Sequence, residues 1–258
     1  MERVFVFFGG DTQVGTTMIA QSVAEVLGKM GKSVLLVLAG SEYGTDYINA
    51  NLDMSLDDIK SNIASNQLRV EDVKGIMYEH NDVMVLPGIK NITTIKYYST
   101  DDMAILLSPL EKAYDYIIVD AGSNIQFGLT VSALKHAGRR YYVVTQQEKC
   151  LRRFKNLYET VLNPLGYCGK LIINKFNNNM AFYTQRQVEE VLGIIDSTGH
   201  DAFGESIAVN YVEYGWQAEA DRVTLLKYSR FAEGINQIAM DICGEKQVMP
   251  TKKALFKR

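Results

Sequence analysis

Residues 9–20 read GGDTQVGTTMIA. Gly10, Gly15, Thr16 and Thr17 match the spacing of a phosphate-cradling loop, G-x-x-x-x-G-K-[ST], except that Thr16 stands where the lysine belongs. Ahead of the loop, RVFVFF (3–8) is a β-branched and aromatic run that predicts a buried strand. Behind it, TMIAQSVAEVLGKMG (17–31) has helical spacing. Ile19, Val23, Val26, Leu27 and Met30 share one face, and Gly31 is a stop. SVLLVL (33–38) is a second continuous apolar strand. Strand, glycine loop, helix and strand in succession make a βαβ unit. Continuous apolar strands imply a parallel sheet covered on both faces.

The alternation continues along the chain. Residues 55–66, 69–80, 100–114, 149–165, 184–195 and 224–243 have helical patterns, with Thr100 or Asp101 as a cap and Pro164 as a terminator. Strands are predicted at 82–88, 114–120, 139–146 and 169–175, while 197–221 has no assignable pattern. The expectation is an α/β fold: a mainly parallel, twisted sheet of about seven or eight strands with helices on both faces. It occupies residues 1–245, followed by a basic tail, 246–258, that carries Lys252, Lys253, Lys257 and Arg258.

Composition narrows the function. The chain has 258 residues, 47% hydrophobic, which suits one large core rather than two small ones. A net charge of −3 gives no global attraction to nucleic acid or anionic lipid, and no sequence-specific nucleic acid binding is expected. Cys150, Cys168 and Cys243 are too few and scattered for a disulfide framework or zinc site, so a reducing cytoplasm is expected. The basic pairs Arg139–Arg140 and Arg152–Arg153 read as solvated element ends, and the tyrosines of KYYST and RRYYVV as core or partly buried residues. The tail reads as a frayed terminus. Its two large apolar residues and four cations would give only weak peripheral contact with a membrane.

Phosphate binding by residues 10–17 has two separable parts. Backbone N–H groups and the first helical turn form an anion cup that needs glycines but no particular side chain. The lysine then adds a cation; losing one such contact costs about 1.5–3 kcal/mol, one to two decades of affinity. Weakened binding follows from Thr16, not abolished binding. The phosphate contacts are therefore assigned to Gly10, Asp11, Thr12, Gln13, Val14, Gly15, Thr16 and Thr17. Thr17 and Asp120, the latter ending an apolar strand, are placed to hold Mg²⁺. Asn174, at the end of LIIN, has an amide suited to a purine edge.

These motifs together resemble the MinD/ParA family of deviant Walker A ATPases. Its loop K-G-G-V-G-K-T-T aligns with DTQVGTTM (11–18). AEVLGKMGKSVLLV, VMVLPG, YDYIIVDAG and LIINK resemble its further motifs, over residues 3 to 243. The resemblance implies ATP or ADP with Mg²⁺, a homodimer and protein partners. It also shows where the chain departs. Asp11 holds the place of the signature lysine that reaches a partner's nucleotide, Thr16 that of the second lysine, and the D-x-D that positions attacking water falls on Leu38 and Gly40. One lost transition-state donor costs about 10²–10³ in rate, so at most a weak ATPase is expected, with no catalytic residue assigned. Such loss resembles the TadZ/CpaE branch, which helps place pilus-assembly and secretion machinery. The implied function is a nucleotide-binding positioning or assembly scaffold, cytoplasmic or peripheral to the membrane. An active ATPase with relocated cations and a pseudo-ATPase that binds no nucleotide remain the alternatives. A carboxylate at position 11 repels a nearby polyphosphate by about 1–4 kcal/mol. A dimer closed around ATP is thus disfavoured; association that does not need ATP is expected, or a cation from the partner, Arg139 or Arg152, that neutralises Asp11.

Overall fold

The computed structural model describes residues 1–40, 54–179, 181–193, 203, 205–213, 215–221 and 223–244. The basic tail and its membrane contact lie outside the described residues. Eight strands form one sheet: β1 (Val4–Gly9), β2 (Val34–Leu38), β3 (Tyr78–His80), β4 (Val83–Leu86), β5 (Tyr116–Asp120), β6 (Arg139–Val144), β7 (Lys170–Phe176) and β8 (Ile207–Asn210). Their order is β3-β4-β2-β5-β1-β6-β7-β8, and among the described residues only the β3–β4 pair is antiparallel.

All six residues of β1 are buried. Because alternate strand residues face opposite sides, both faces of the sheet centre are covered. Phe7 stacks on Tyr141 of β6 with centroids 4.9 Å apart, while Phe8 meets Tyr142 edge-on. The helix α1 (Thr16–Lys29) packs along α9 (Ser229–Cys243). It ends where Gly31, at φ 77°, takes the left-handed conformation that closes a helix. The helices α2 (Leu56–Ala64) and α3 (Val70–Ile76) also pack together, as do α4 (Asp102–Leu107) and α5 (Gly128–His136). So do α6 (Glu148–Leu157) and α7 (Gln185–Leu192); the short α8 spans Gly215–Ala220. Among the described residues no helix is long and apolar enough to cross a membrane.

Several sequence expectations change at element ends. The helix expected over 69–80 stops at Ile76, and Tyr78–His80 turns back as the antiparallel edge strand. Asn81 and Asp82, at φ 48° and 63°, make the tight turn that reverses the chain. The helix expected over 100–114 is short; its Asp102 carboxylate is taken by the Ser99 amide and hydroxyl at the entrance. The helix expected from 224 begins at Ser229. The stretch without a pattern holds β8 and α8, elements too short to impose a period. Tyr98, Tyr141 and Tyr142 are buried as expected, but Tyr97 is 61% exposed.

One polar cluster ties three elements together beneath the sheet. Asp241 of α9 accepts from the Tyr141 hydroxyl and from Lys170 of β7, each at 2.7 Å. Burial raises its pKa, but those two bonds and the Arg139 charge outweigh it, so Asp241 lies below its ordinary value. Such a group stabilises the fold above its unfolded pKa of about 3.9, and that contribution is lost as pH falls through the native value. Asp241→Asn should therefore destabilise the protein by about 1–3 kcal/mol at pH 7. The gap from wild type should close below about pH 4. Denaturant melts at pH 7 and pH 3 check both.

Candidate functional site

The site grows from the carboxyl end of β1. The Gly9 amide donates to the Gly122 carbonyl and the Gly10 amide to the Val143 carbonyl, both at 2.8 Å. The chain thus leaves the sheet between the ends of β5 and β6, the crevice where open α/β sheets bind ligands. Gly10 is required by crowding: a Cβ there would lie 2.9 Å from Phe154 of α6. Gly15 is required by conformation. It caps α1 at φ 87°, and a Cβ on it would meet the Asn174 amide at 2.5 Å. Gln13 also has a left-handed backbone, φ 60°. Left-handed residues in such a loop turn successive N–H groups to one concave side, the geometry of an anion nest.

The outward side of the loop is held by β7. Asn174, buried, donates Nδ2 to the Val14 carbonyl at 2.8 Å. Lys175 donates Nζ to the Gln13 carbonyl at 2.9 Å. Two neighbouring strand residues thus grip two neighbouring carbonyls. At the other end of the loop, the Thr17 hydroxyl donates to the Asp120 carboxylate, as does the Gly122 amide at 3.1 Å. Burial drives the Asp120 carboxyl above its ordinary value, and these two bonds pull it only part of the way back. The pair expected to hold a metal is therefore assembled. Thr16 is buried with its hydroxyl turned back against Gly9, so this position presents no donor at the mouth. Leu38, in the place of the water-positioning aspartate, is packed in the core.

Asp11 meets a cation of its own chain, Arg153, which the sequence reading did not weigh. Arg153 of α6 reaches Asp11 Oδ1 at 2.6 Å, and the Thr12 amide donates to the same oxygen at 2.8 Å. Arg139 is spent on the Asp241 carbonyl, and Arg152 pairs with Glu148. The spacing of basic residues along α6 carries no hint of this; the ion pair spans 142 residues.

A cavity of about 360 Å³ opens beside the loop at the ends of β6, β7 and β8. Thr12, Gln13 and Val14 form one wall; Lys175, Phe182 and Tyr211 stand among the others. Gln146 shapes it from below. Its amide donates to the Asn177 and Tyr183 carbonyls and accepts from the Asn177 amide, which positions Phe182 at the rim. Phe182 and Tyr211 are 46% and 53% exposed, unusual for large apolar rings. Sequence reading assigned no role to Gln146, Lys175, Phe182 or Tyr211. Only Lys175, next to Asn174 in LIINK, carried a local signal.

No family model matches the chain, and no curated protein is found similar to it. Solved structures are. A ParA family ATPase from Chlorobium tepidum TLS is 22% identical, with a TM-score of 0.74 over 93% of this chain and 98% of that one. The septum site-determining protein MinD from Pyrococcus horikoshii OT3, complexed with Mg-ADP, is 17% identical, with a TM-score of 0.73 over 94% and 96%. The ATP complex of a McdA variant from Cyanothece is 13% identical, with a TM-score of 0.69 over 96% and 98%. The chain thus has the α/β fold of the ParA/MinD P-loop NTPases.

The Asp11–Arg153 pair makes a direct prediction. Burial raises the Asp11 pKa, but the Thr12 amide and Arg153 outweigh it and hold the carboxyl below its ordinary value. Arg153→Gln should let Asp11 titrate nearer to about 3.9. The titration of the side-chain carboxyl by carbon-detected NMR checks it.

Proposed function

We propose that the protein is a nucleotide-binding scaffold that holds ATP or ADP with Mg²⁺ and hydrolyses slowly or not at all. The observation that carries this reading is the split state of the loop. Its backbone cup and metal end are built, with Gly15 at φ 87° and Thr17 on Asp120, while position 16 is turned inward and position 11 is a carboxylate already paired with Arg153. The donor set fits the group. A hydroxyl and a carboxylate suit a hard cation such as Mg²⁺. A left-handed glycine before a helix suits a phosphate. The base is assigned to the cavity, which Asn174 does not line; the buried Asn174 amide, expected at the base, instead braces the loop through the Val14 carbonyl. Relatives in fold were solved with Mg-ADP and with ATP, which supports the same ligands here.

The scaffold role follows from chemistry. A bound triphosphate would find cup and metal but no cation at position 16 and no carboxylate at position 38 to orient water, since both side chains are buried. Association with a second copy and with protein partners is part of the proposal, in line with fold relatives such as the MinC:MinD complex of Aquifex aeolicus. Service to a pilus or secretion assembly is the narrower form of it. An active ATPase with relocated cations is the second reading, favoured by Lys175 and Arg153 on the flanks of the loop.

Equilibrium titration with ADP and ATP, alongside steady-state phosphate release, separates these readings. The expected result is binding of both nucleotides with phosphate release at least about 10² slower than a loop with its charges intact. Brisk release would establish the second reading; absence of binding would leave the pseudo-ATPase. Gly15→Ala should weaken nucleotide binding at least tenfold. Its Cβ strikes Asn174 and its φ strains any L side chain, by about 1–3 kcal/mol. Unchanged affinity in a folded Gly15→Ala variant would show that the loop is not the site.

A further inference from the structure

We propose that the turn between β4 and α4 is a contact for an anionic lipid surface. Ile92 is its inserted residue, Tyr97 sits at headgroup level, and Lys60 and Lys96 supply the cations. The proposal does not depend on the nucleotide reading above.

Residues Ile92–Tyr97 form a 3₁₀ turn of 6 residues, and one carboxylate fixes it from beneath. Asp57 of α2 accepts from the Lys90 and Asn91 amides at 2.9 and 2.8 Å, and from the Thr94 and Tyr98 hydroxyls at 2.6 and 3.3 Å. Those bonds outweigh the effect of burial and hold Asp57 below its ordinary pKa. The Asn91 side chain caps the turn by accepting from the Thr93 amide. Ile95 and Tyr98, one 3₁₀ turn apart, pack on the core. Ile92 starts the same row but stands past the edge of the core. It is 67% exposed and Tyr97 is 61% exposed, the highest values for large hydrophobic side chains among the described residues. A braced turn thus holds its two outer apolar groups in water.

The cations gather at the same place. Lys60 Nζ lies 5.7 Å from the Tyr97 ring centroid, and Lys96 Nζ lies 5.0 Å from it. Lys60 gives one bond, to the Tyr97 carbonyl, and its ammonium has two further donors. Among the described residues neither Lys60 nor Lys96 is paired with a carboxylate. Asp57 is turned toward the turn's own donors, and Asp101 is paired with Lys135. The outer side of the turn therefore presents an aliphatic side chain, an aromatic ring and two ammoniums not neutralised by a carboxylate.

Area favours a lipid over a protein as the occupant. A stable protein interface buries about 800 Å² on each partner, and two side chains on so short a turn supply only a fraction of that. A bilayer needs no matching groove. It takes an aliphatic tip, seats tyrosine among its headgroups and attracts lysines through its surface charge. Each lysine near an anionic surface strengthens binding about fivefold, and burying the isoleucine adds about tenfold or more. The contact is weak and reversible.

The test is sedimentation of the full chain with vesicles of phosphatidylcholine alone and of phosphatidylcholine with an equal part of phosphatidylglycerol. The basic tail, 246–258, is common to every variant. Wild type should bind the anionic vesicles and not the neutral ones. Lys60→Gln with Lys96→Gln should weaken that binding about 25-fold, and Ile92→Asn about tenfold. Ile92→Trp should strengthen it, a gain that damage to the fold cannot mimic. Lys32→Gln with Lys112→Gln removes the same charge at the opposite ends of the strands and should have little effect. No binding by wild type, equal loss in both lysine pairs, or unchanged binding in the Ile92 variants would overturn the proposal. So would binding of polyglutamate or self-association, without vesicle binding, that Ile92→Asn abolishes; the turn would then belong to an acidic protein or to a second copy. Thermal melts show whether a lost affinity is a lost fold.

Discussion

The loop between β1 and α1 has a shape only because its carbonyl oxygens are tied down. A backbone cup for an anion needs its N–H groups turned inward, and the matching carbonyls must then go elsewhere. Here the Gln13 and Val14 carbonyls go to Lys175 and Asn174 of β7. Glycine at position 15 fits this arrangement twice, since it accepts φ 87° and leaves room for the Asn174 amide. The aromatic packing behind the loop, with Phe154 against Gly10, closes the remaining freedom. Phe154 in turn belongs to a cluster with Tyr142 and Tyr158, so the loop is seated on the core rather than hung above it.

Charge around the loop has been rearranged rather than removed. Position 16 is apolar in effect, its hydroxyl buried. Position 11 is acidic but compensated in place by Arg153. The pair is half solvated on the arginine side, so its contribution to stability is small; its consequence is electrostatic. A polyphosphate at the loop would meet an ion pair instead of a bare carboxylate. Binding and turnover respond differently to this. Backbone amides and a glycine turn suffice to hold a phosphate, whereas transfer demands charge aimed at the transition state.

Much of this was legible in the sequence. Continuous apolar runs such as VFVFFG and VLLVL mark buried parallel strands, because a sheet covered on both faces leaves no polar side to alternate. Glycine spacing and the aspartate that ends YIIVD placed the loop and the Thr17–Asp120 contact beside it, since local backbone demands are written in local residues. Short elements were not legible. Residues 78–80 and 207–210 are three and four residues long, too few for a period, and their strand state comes from the neighbours they pair with.

The sequence by itself determined the fold class, the loop and which charged groups the loop lacks. These follow from hydrophobic period, turn chemistry and residue identity, all readable within a few positions. The tertiary structure alone decided which distant charged side chains come to the loop. Arg153 meets Asp11 across 142 residues, and Lys175 meets Gln13 across 162. The bends that bring them there, a strained φ at Lys175 and a register shift in β7, are set by the packing of strands against one another and carry no local pattern. Distance along the chain is what hides such contacts: each partner's own neighbourhood reads as an ordinary solvated helix or strand end.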